Sequence, residues 1–171
     1  QMCIRDSNHT VVSYVNTTAA TKAVTDVVVT SSNAKQIVES LPKDTPIIFG
    51  PDRNLGHYIS EQTGREMLLW DGACEVHDRF SVEKIQQLKR EHPAAKVLAH
   101  PECPPTVLCL ADKVGSTSAL LKYSVENDAQ EFIVVTESGI LVEMQRLAPQ
   151  KTFIPAPPND NDSTCIAFMY I

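Results

Sequence analysis

The sequence predicts a parallel α/β fold built in tandem: three-layer α/β/α domains with short parallel sheets, related by internal duplication. Three observations predict it. Short β-branched runs alternate with helix-like stretches, polar turns follow the runs, and the chain matches itself when shifted by 86 residues. Strand, polar turn and helix in repetition mark a parallel sheet.

The elements follow in order. Val11 to Asn16 reads as an extended segment. Val27-Val28-Val29 leads through Thr30-Ser31-Ser32-Asn33 into a helix from Ala34 to Leu41. Ile47-Ile48-Phe49 leads through Gly50 to Asn54 into a helix reaching Glu61. Ser81 is placed to cap a helix from Val82 to Glu91, with Glu83 in its first turn. Lys96 to Ala99 leads through His100-Pro101-Glu102 to a helix from Thr106 to Ala111. Phe132 to Val135 leads through Thr136 to Gly139 to a helix from Ile140 to Leu147.

The ungapped shift lays Val11–Asn16 on Val97–Glu102, Asp26 on Asp112, Thr30-Ser31-Ser32 on Ser116-Thr117-Ser118, and Ile47 on Ile133. Self-similarity of this kind precedes any other reading of a fold. The expected organisation is an unrelated leader over residues 1–7, one α/β domain over 8–85, and a second over 86–171 that is incomplete at its C-terminus. The boundary is expected in the helical stretch between Phe80 and Pro93.

Composition excludes several function classes. The 171 residues are 43% hydrophobic, enough for one good core or two small ones. The net charge of −6 suits neither nucleic acid nor an anionic membrane surface. No run of eighteen apolar residues is present to span a bilayer, and Gln1 to Ser7 do not resemble a signal peptide. The five cysteines, Cys3, Cys74, Cys103, Cys109 and Cys165, are odd in number and widely spaced. A cytoplasmic protein with metal-binding or chemically active thiols fits them better than a disulfide framework.

In open parallel sheets, ligands bind beyond the carboxyl ends of the strands. Ser31, Ser116 and Thr117 stand there at expected helix starts, where hydroxyls, free N–H groups and the helix dipole attract phosphate or carboxylate. A simple capping role is the plainer reading of each. Tyr14 and Asn16 alternate onto one face of an extended segment, and the shift places His100 and Glu102 likewise. An imidazole beside a carboxylate can move protons near neutral pH, although His-Pro-Glu also reads as a surface turn. His9, His57, His77 and His92 read as ordinary surface or helix residues, and Asp52 and Arg53 as a local ion pair or cap. Cys74 and Cys165 end the two copies and are candidate ligands of one metal centre or two unrelated buried thiols. Cys103 and Cys109 read as filler.

With these residues in hand, the chain resembles quinolinate synthase. The resemblance rests on Val12 to Asn16, Val29 to Ala34, Pro51 to Gly56, Trp70 to Cys74 with Val76-His77, His100-Pro101-Glu102, and Val114 to Ser118, in the family's order, and it covers about Thr10 to Cys165. It implies two of three similar domains arranged about a pseudo-threefold axis, the first being absent. It implies condensation of iminoaspartate with dihydroxyacetone phosphate to quinolinate in de novo NAD biosynthesis. The implied cofactor is a 4Fe–4S cluster acting as Lewis acid, ligated by Cys74 and Cys165, with the third cysteine outside this chain. Tyr14 and Asn16 would contact substrate, Glu102, His100 and Tyr14 would be catalytic, and Ser31, Ser116 and Thr117 would hold phosphate or carboxylates. A functional link to L-aspartate oxidase is also implied. The chain alone would be inactive, and any cluster it binds would be labile. Cys165 stands four residues before Met169, where the family has three, so Cys74 is the firmer ligand. The competing reading is a metal-free α/β protein that binds a phosphate-bearing ligand.

Overall fold

A computed structural model describes residues 8–158. Two compact units divide between Ala73 and Cys74, and each carries one four-stranded parallel sheet.

The first unit contains β1 (Thr10–Tyr14), α1 (Ala19–Lys22), β2 (Val27–Val29), α2 (Ala34–Ser40), β3 (Ile47–Gly50), α3 (Arg53–Thr63) and β4 (Leu68–Leu69). Its strand order is β2-β1-β3-β4, with every pairing parallel. A strand flanked on both sides and covered by helices is mainly apolar. Accordingly Val12, Ile47 and Phe49 join Val38, Leu55 and Ile59 from the helices in one core. Phe49 is fully buried, and burying such a side chain stabilises by about 1.5–3 kcal/mol. Asp52 caps α3 by accepting the Leu55 N–H at 2.6 Å, and Gly64 ends the helix at φ 66°. That left-handed φ is the conformation glycine adopts without strain. Arg53 pairs with Asp71 at 3.1 Å.

The second unit contains α4 (Glu75–Asp78), α5 (Val82–Glu91), β5 (Lys96–Ala99), α6 (Pro105–Leu108), β6 (Lys113–Val114), α7 (Thr117–Glu126), β7 (Glu131–Val135), α8 (Gly139–Leu147) and β8 (Thr152–Pro155). Its order, β6-β5-β7-β8, repeats that of the first sheet and is again wholly parallel. Helix α5 forms as its sequence dictates. The Ser81 hydroxyl accepts the Lys84 N–H at 3.2 Å, Glu83 stands in the first turn, and Lys89 and Arg90 in the last complement the helix dipole. Ile85 and Phe80 pack with Val97 and Ile133 in the core beneath the second sheet. This stretch therefore lies with the second unit, although the sequence repeat counts residues up to 85 with the first.

The duplication holds through strand pairing, with one slip. Val12 faces Val27 and Leu98 faces Lys113, both displaced by 86. Val12 faces Phe49, however, whereas Leu98 faces Val134, a displacement of 85. Six residues separate the end of α2 from Ile47 but only five separate the end of α7 from Phe132, so Ile47 corresponds to Phe132 and not to Ile133. Among the described residues, no helix is long and apolar enough to cross a membrane.

Candidate metal and acid–base site

The site is assembled within the second unit at the carboxyl ends of β5 and β7. After Ala99 the chain turns through His100-Pro101-Glu102-Cys103, closed by the Cys103 N–H donating to the His100 carbonyl at 2.9 Å. This is a turn, as its composition suggests, but it is buried. His100 is 3% exposed and Glu102 4%, and Cys103 lies in the apolar core. Thr136 is the first residue past β7 and is also buried.

Cys74 is the N-cap residue of α4, and the Asp78 N–H returns to its carbonyl at 2.9 Å. One helical turn brings His77 onto the same face as Cys74, because side chains three apart are neighbours. His77 Nδ1 lies 3.2 Å from Cys74 Sγ and 3.4 Å from Glu102 Oε2. His77 Nε2 lies 3.0 Å from Thr136 Oγ1. Glu102 Oε2 also lies 3.1 Å from His100 Nδ1, and the two imidazoles stack with centroids 4.6 Å apart at 22°.

Burial, and after it the neighbouring His100, pushes His77 down to about 3 from its usual 6.5. With the imidazole neutral, its 3.4 Å contact with Glu102 is not an ion pair. A neutral imidazole keeps one nitrogen lone pair, which is what a metal ligand requires. Cys74, His77 and Glu102 each offer one ligand atom, and these atoms all lie within 4.8 Å of one another. Thiolate, imidazole and carboxylate together suit a transition metal better than magnesium or calcium, which prefer oxygen alone.

The structure thus brings together Cys74, His100 and Glu102 from the sequence expectations. It adds His77 and Thr136, which the sequence reading missed. His77 stands in a helix but is only 5% exposed, so it is not a surface residue. Its signal was the Cys-x-x-His spacing on one helical face, too common to stand alone. Thr136 carried the weaker signal of a hydroxyl directly after an apolar parallel strand.

The other expected residues are placed as follows. Ser116 caps α7, accepting the Ala119 N–H at 3.4 Å, and Thr117 is the exposed first residue of that helix. In the first unit, Tyr14 ends β1 and is buried in the apolar core, while Asn16 is half-buried in the bend that follows. Both were expected in one extended segment, but the strand ends at Tyr14. Ser31 is half-buried in the turn before α2. It does not start that helix, because Asn33 is the N-cap residue and its side chain accepts from the Thr30 N–H at 2.7 Å instead. Cys165 lies outside the described residues. Cys109 is exposed.

Two parallel α/β units and a largely buried Cys–His–Glu group at a sheet's carboxyl edge define a protein of the class able to hold a metal beside acid–base groups. The family model described as Quinolinate synthetase A protein matches residues 1–171, and the chain belongs to that family. A quinolinate synthase of Synechococcus sp. is 55% identical over 158 residues, covering 92% of this chain and 49% of the relative. One of Thermosynechococcus vestitus is 56% identical over 158 residues, covering 92% and 50%. One of Trichodesmium erythraeum is 58% identical over 151 residues, covering 88% and 47%. The chain spans about half the length of the curated relatives it matches.

Proposed function

We propose that residues of this chain form part of a quinolinate synthase active site, condensing iminoaspartate with dihydroxyacetone phosphate to give quinolinate with loss of phosphate and water, in de novo NAD biosynthesis. The observation that carries the proposal is the buried contact of Glu102 with two imidazoles, in one group with the Cys74 thiol. Family membership supports the substrate pair. L-aspartate oxidase, as a source of iminoaspartate, is the functional partner that this reading implies.

The donor set fits a 4Fe–4S cluster in one respect that counts. Cys74 presents a half-buried thiol at the sheet's carboxyl edge, hydrogen-bonded to a neutral imidazole. Cys74 would be one ligand and Cys165 a second. When bound, such a cluster supplies a Lewis-acidic iron that polarises a substrate oxygen or nitrogen.

The protein's own groups do the rest. Glu102 accepts a proton from the condensing carbon and returns one to a departing hydroxyl, with Oε2 as the acting atom. His100, whose Nδ1 lies 3.1 Å from that oxygen and accepts the Glu102 N–H at 3.4 Å, would orient substrate and help move protons. Tyr14 and Asn16 would contact substrate, and Ser31, Ser116 and Thr117 would hold the phosphate and carboxylates. The site works at a buried edge, where each such interaction is stronger than in water.

The test grafts residues 8–158 in place of the matching half of the Synechococcus sp. relative and assays quinolinate formation under anaerobic conditions. Glu102→Gln should lower kcat by about 100-fold or more, the usual scale for a lost acid–base group. Cys74→Ser should lower the iron and sulfide retained after reconstitution. A Glu102→Gln graft of undiminished rate, or a Cys74→Ser graft with a full cluster, would end the proposal.

A further inference from the structure

We propose that one face of the first sheet is a docking surface for a single amphipathic helix. That helix belongs to the part of the relatives that this chain does not span, and it leads into β1 as α5 leads into β5. This docking surface is independent of the reaction proposed above.

Strand registers sort the side chains. Val11 pairs with Ile48 and Ile48 with Leu68, so the three share a face, and alternation puts Trp70 there with them. Val28, paired with Ser13, lies on the same side. Helices α2 and α3 pack on the opposite face, against Val12, Val29 and Phe49. On the near face stands α1, reached by the Ser13 hydroxyl through Thr25, and α1 buries none of its residues. Leu68 is therefore 61% exposed, Trp70 60% and Val28 43%, with Val11 and Ile48 half-buried between them. Single exposed apolar residues need no explanation. A whole face of them does, because wholly parallel sheets occur almost only with both faces covered, and apolar patches mark sites of interaction.

The second unit shows what belongs there. By register the counterparts of Val11, Ile48 and Leu68 are Val97, Ile133 and Ile154. Ala156 answers to Trp70, its N–H bonding to Val134 as that of Trp70 bonds to Phe49. Val97 and Ile133 are fully buried, because Val82, Ile85 and Leu88 of α5 lay one apolar stripe against them. Among the described residues of the first unit, none takes the place of α5. The indole that does stand there is held against Gly50 and Gly72, where an added Cβ would come 2.8 Å from Trp70 Cβ and 3.2 Å from its Cδ1. The face is thus a built apolar surface, and a helix that removes it from water gains the same driving force that seats α5.

Trp70 is the single tryptophan of the chain, so its fluorescence reads the face directly. In the 171-residue chain it should emit as an exposed indole, freely quenched by acrylamide at every protein concentration. The chain is then given, in place of residues 1–9, the stretch that leads into the matching strand of the Synechococcus sp. relative, with any tryptophan there changed to phenylalanine. Emission should move to shorter wavelength, most of the quenching should be lost, and the urea midpoint of the first unit should rise. Two prolines in the middle of the added stretch, which break a helix, should return Trp70 to solvent. Leu68→Asp should leave the midpoint of the unextended chain unchanged and abolish the gain in the extended one. Ile154→Asp, already beneath α5, should lower the midpoint of the second unit in both. An extended chain with no gain in midpoint, an indole still freely quenched in it, or one still protected despite the prolines overturns the proposal. So does protection that grows with concentration in the unextended chain, which would make a second copy the occupant.

Discussion

The two units share a frame and differ at one edge. In each, an aspartate at the start of the second strand accepts the backbone N–H of the first. Val11 donates to Asp26 and Val97 to Asp112, both at 2.8 Å and 86 residues apart. In each, a long cation reaches back over the end of the helix after the second strand. Arg65 donates to the carbonyls of Val38, Leu41, Pro42 and Thr45, and Lys151, 86 residues on, to those of Ser124, Val125 and Asn127. At the carboxyl edge the correspondence of chemistry stops. Tyr14 and Asn16 stand where the second unit has His100 and Glu102. Gly50 and Trp70 stand where pairing places Val135 and Ala156. A Cβ at Gly50 would come 2.8 Å from that of Trp70, so the large residue excludes the small one's side chain there. The difference teaches where duplication constrains and where it does not. Backbone groups left unpaired by the topology must be satisfied the same way in both copies, while side chains facing the ligand edge are free to change.

The largest expected effect breaks this comparison at the cations. Arg65 makes more bonds, but Lys151 is 6% exposed and Arg65 half-exposed. If burial outweighs bond count, Lys151→Met strands buried carbonyls and costs about 3 kcal/mol, while water replaces much of what Arg65→Met removes and the cost is about 1 kcal/mol. Hydrogen exchange in α7 and α2, read separately, measures each. Equal costs, or a larger one at Arg65, would show that the two caps are governed by bond number.

The second effect sharpens the contrast between the edges. His77, folded, protonates only near pH 3, whereas unfolded it does so near its usual 6.5. Between those values the unfolded chain binds the extra proton, so stability falls as pH drops from about 6.5 and is unaffected above it. At pH 5 the loss is about 2 kcal/mol. Urea denaturation at pH 7 and pH 5 should show this loss in wild type and its absence in His77→Gln, with probes in the first unit giving the same result for both. Parallel pH profiles of the two proteins in the second unit would refute it.

The same contrast decides what was legible in the sequence. Strands β2, β3, β5 and β7, helix α5 with its Ser81 cap, and the tandem topology were readable, because a covered parallel strand must be a short apolar run and a capped amphipathic helix announces its own start. Strands β4 and β8 were not, since two residues in the one and four in the other, all exposed or half-buried at a sheet edge, carry no pattern. Helix α6 runs from Pro105 to Leu108, not from Thr106 to Ala111, because proline is favoured at the first helical turn. In the site, His100 and Glu102 were legible through the repeat. His77 was missed because its burial depends on packing beneath residues far along the chain. The slip at β7 was hidden because an ungapped shift cannot register a loop shortened by one residue.

The smallest effect tests whether the shared frame is shared in energy as well as in geometry. Asp26 and Asp112 make the same bond, yet Asp112 has an additional ion pair with Lys96 at 3.1 Å. Burial acts to raise the Asp112 carboxyl, but the Val97 N–H and then Lys96 outweigh it and hold it below its usual value. Its contribution is therefore present at neutral pH and lost as pH falls through that lowered value. The Lys96 partner is solvent-exposed, and exposed pairs contribute little. The backbone bond should dominate, so Asp26→Ala and Asp112→Ala should each cost about 1 kcal/mol at pH 7. Lys96→Met should leave stability within about 0.5 kcal/mol of wild type. Urea midpoints of the three variants, each read in its own unit, measure this. A clearly greater cost at Asp112, reduced by added salt, would mean that the lysine and not the strand amide makes that aspartate matter.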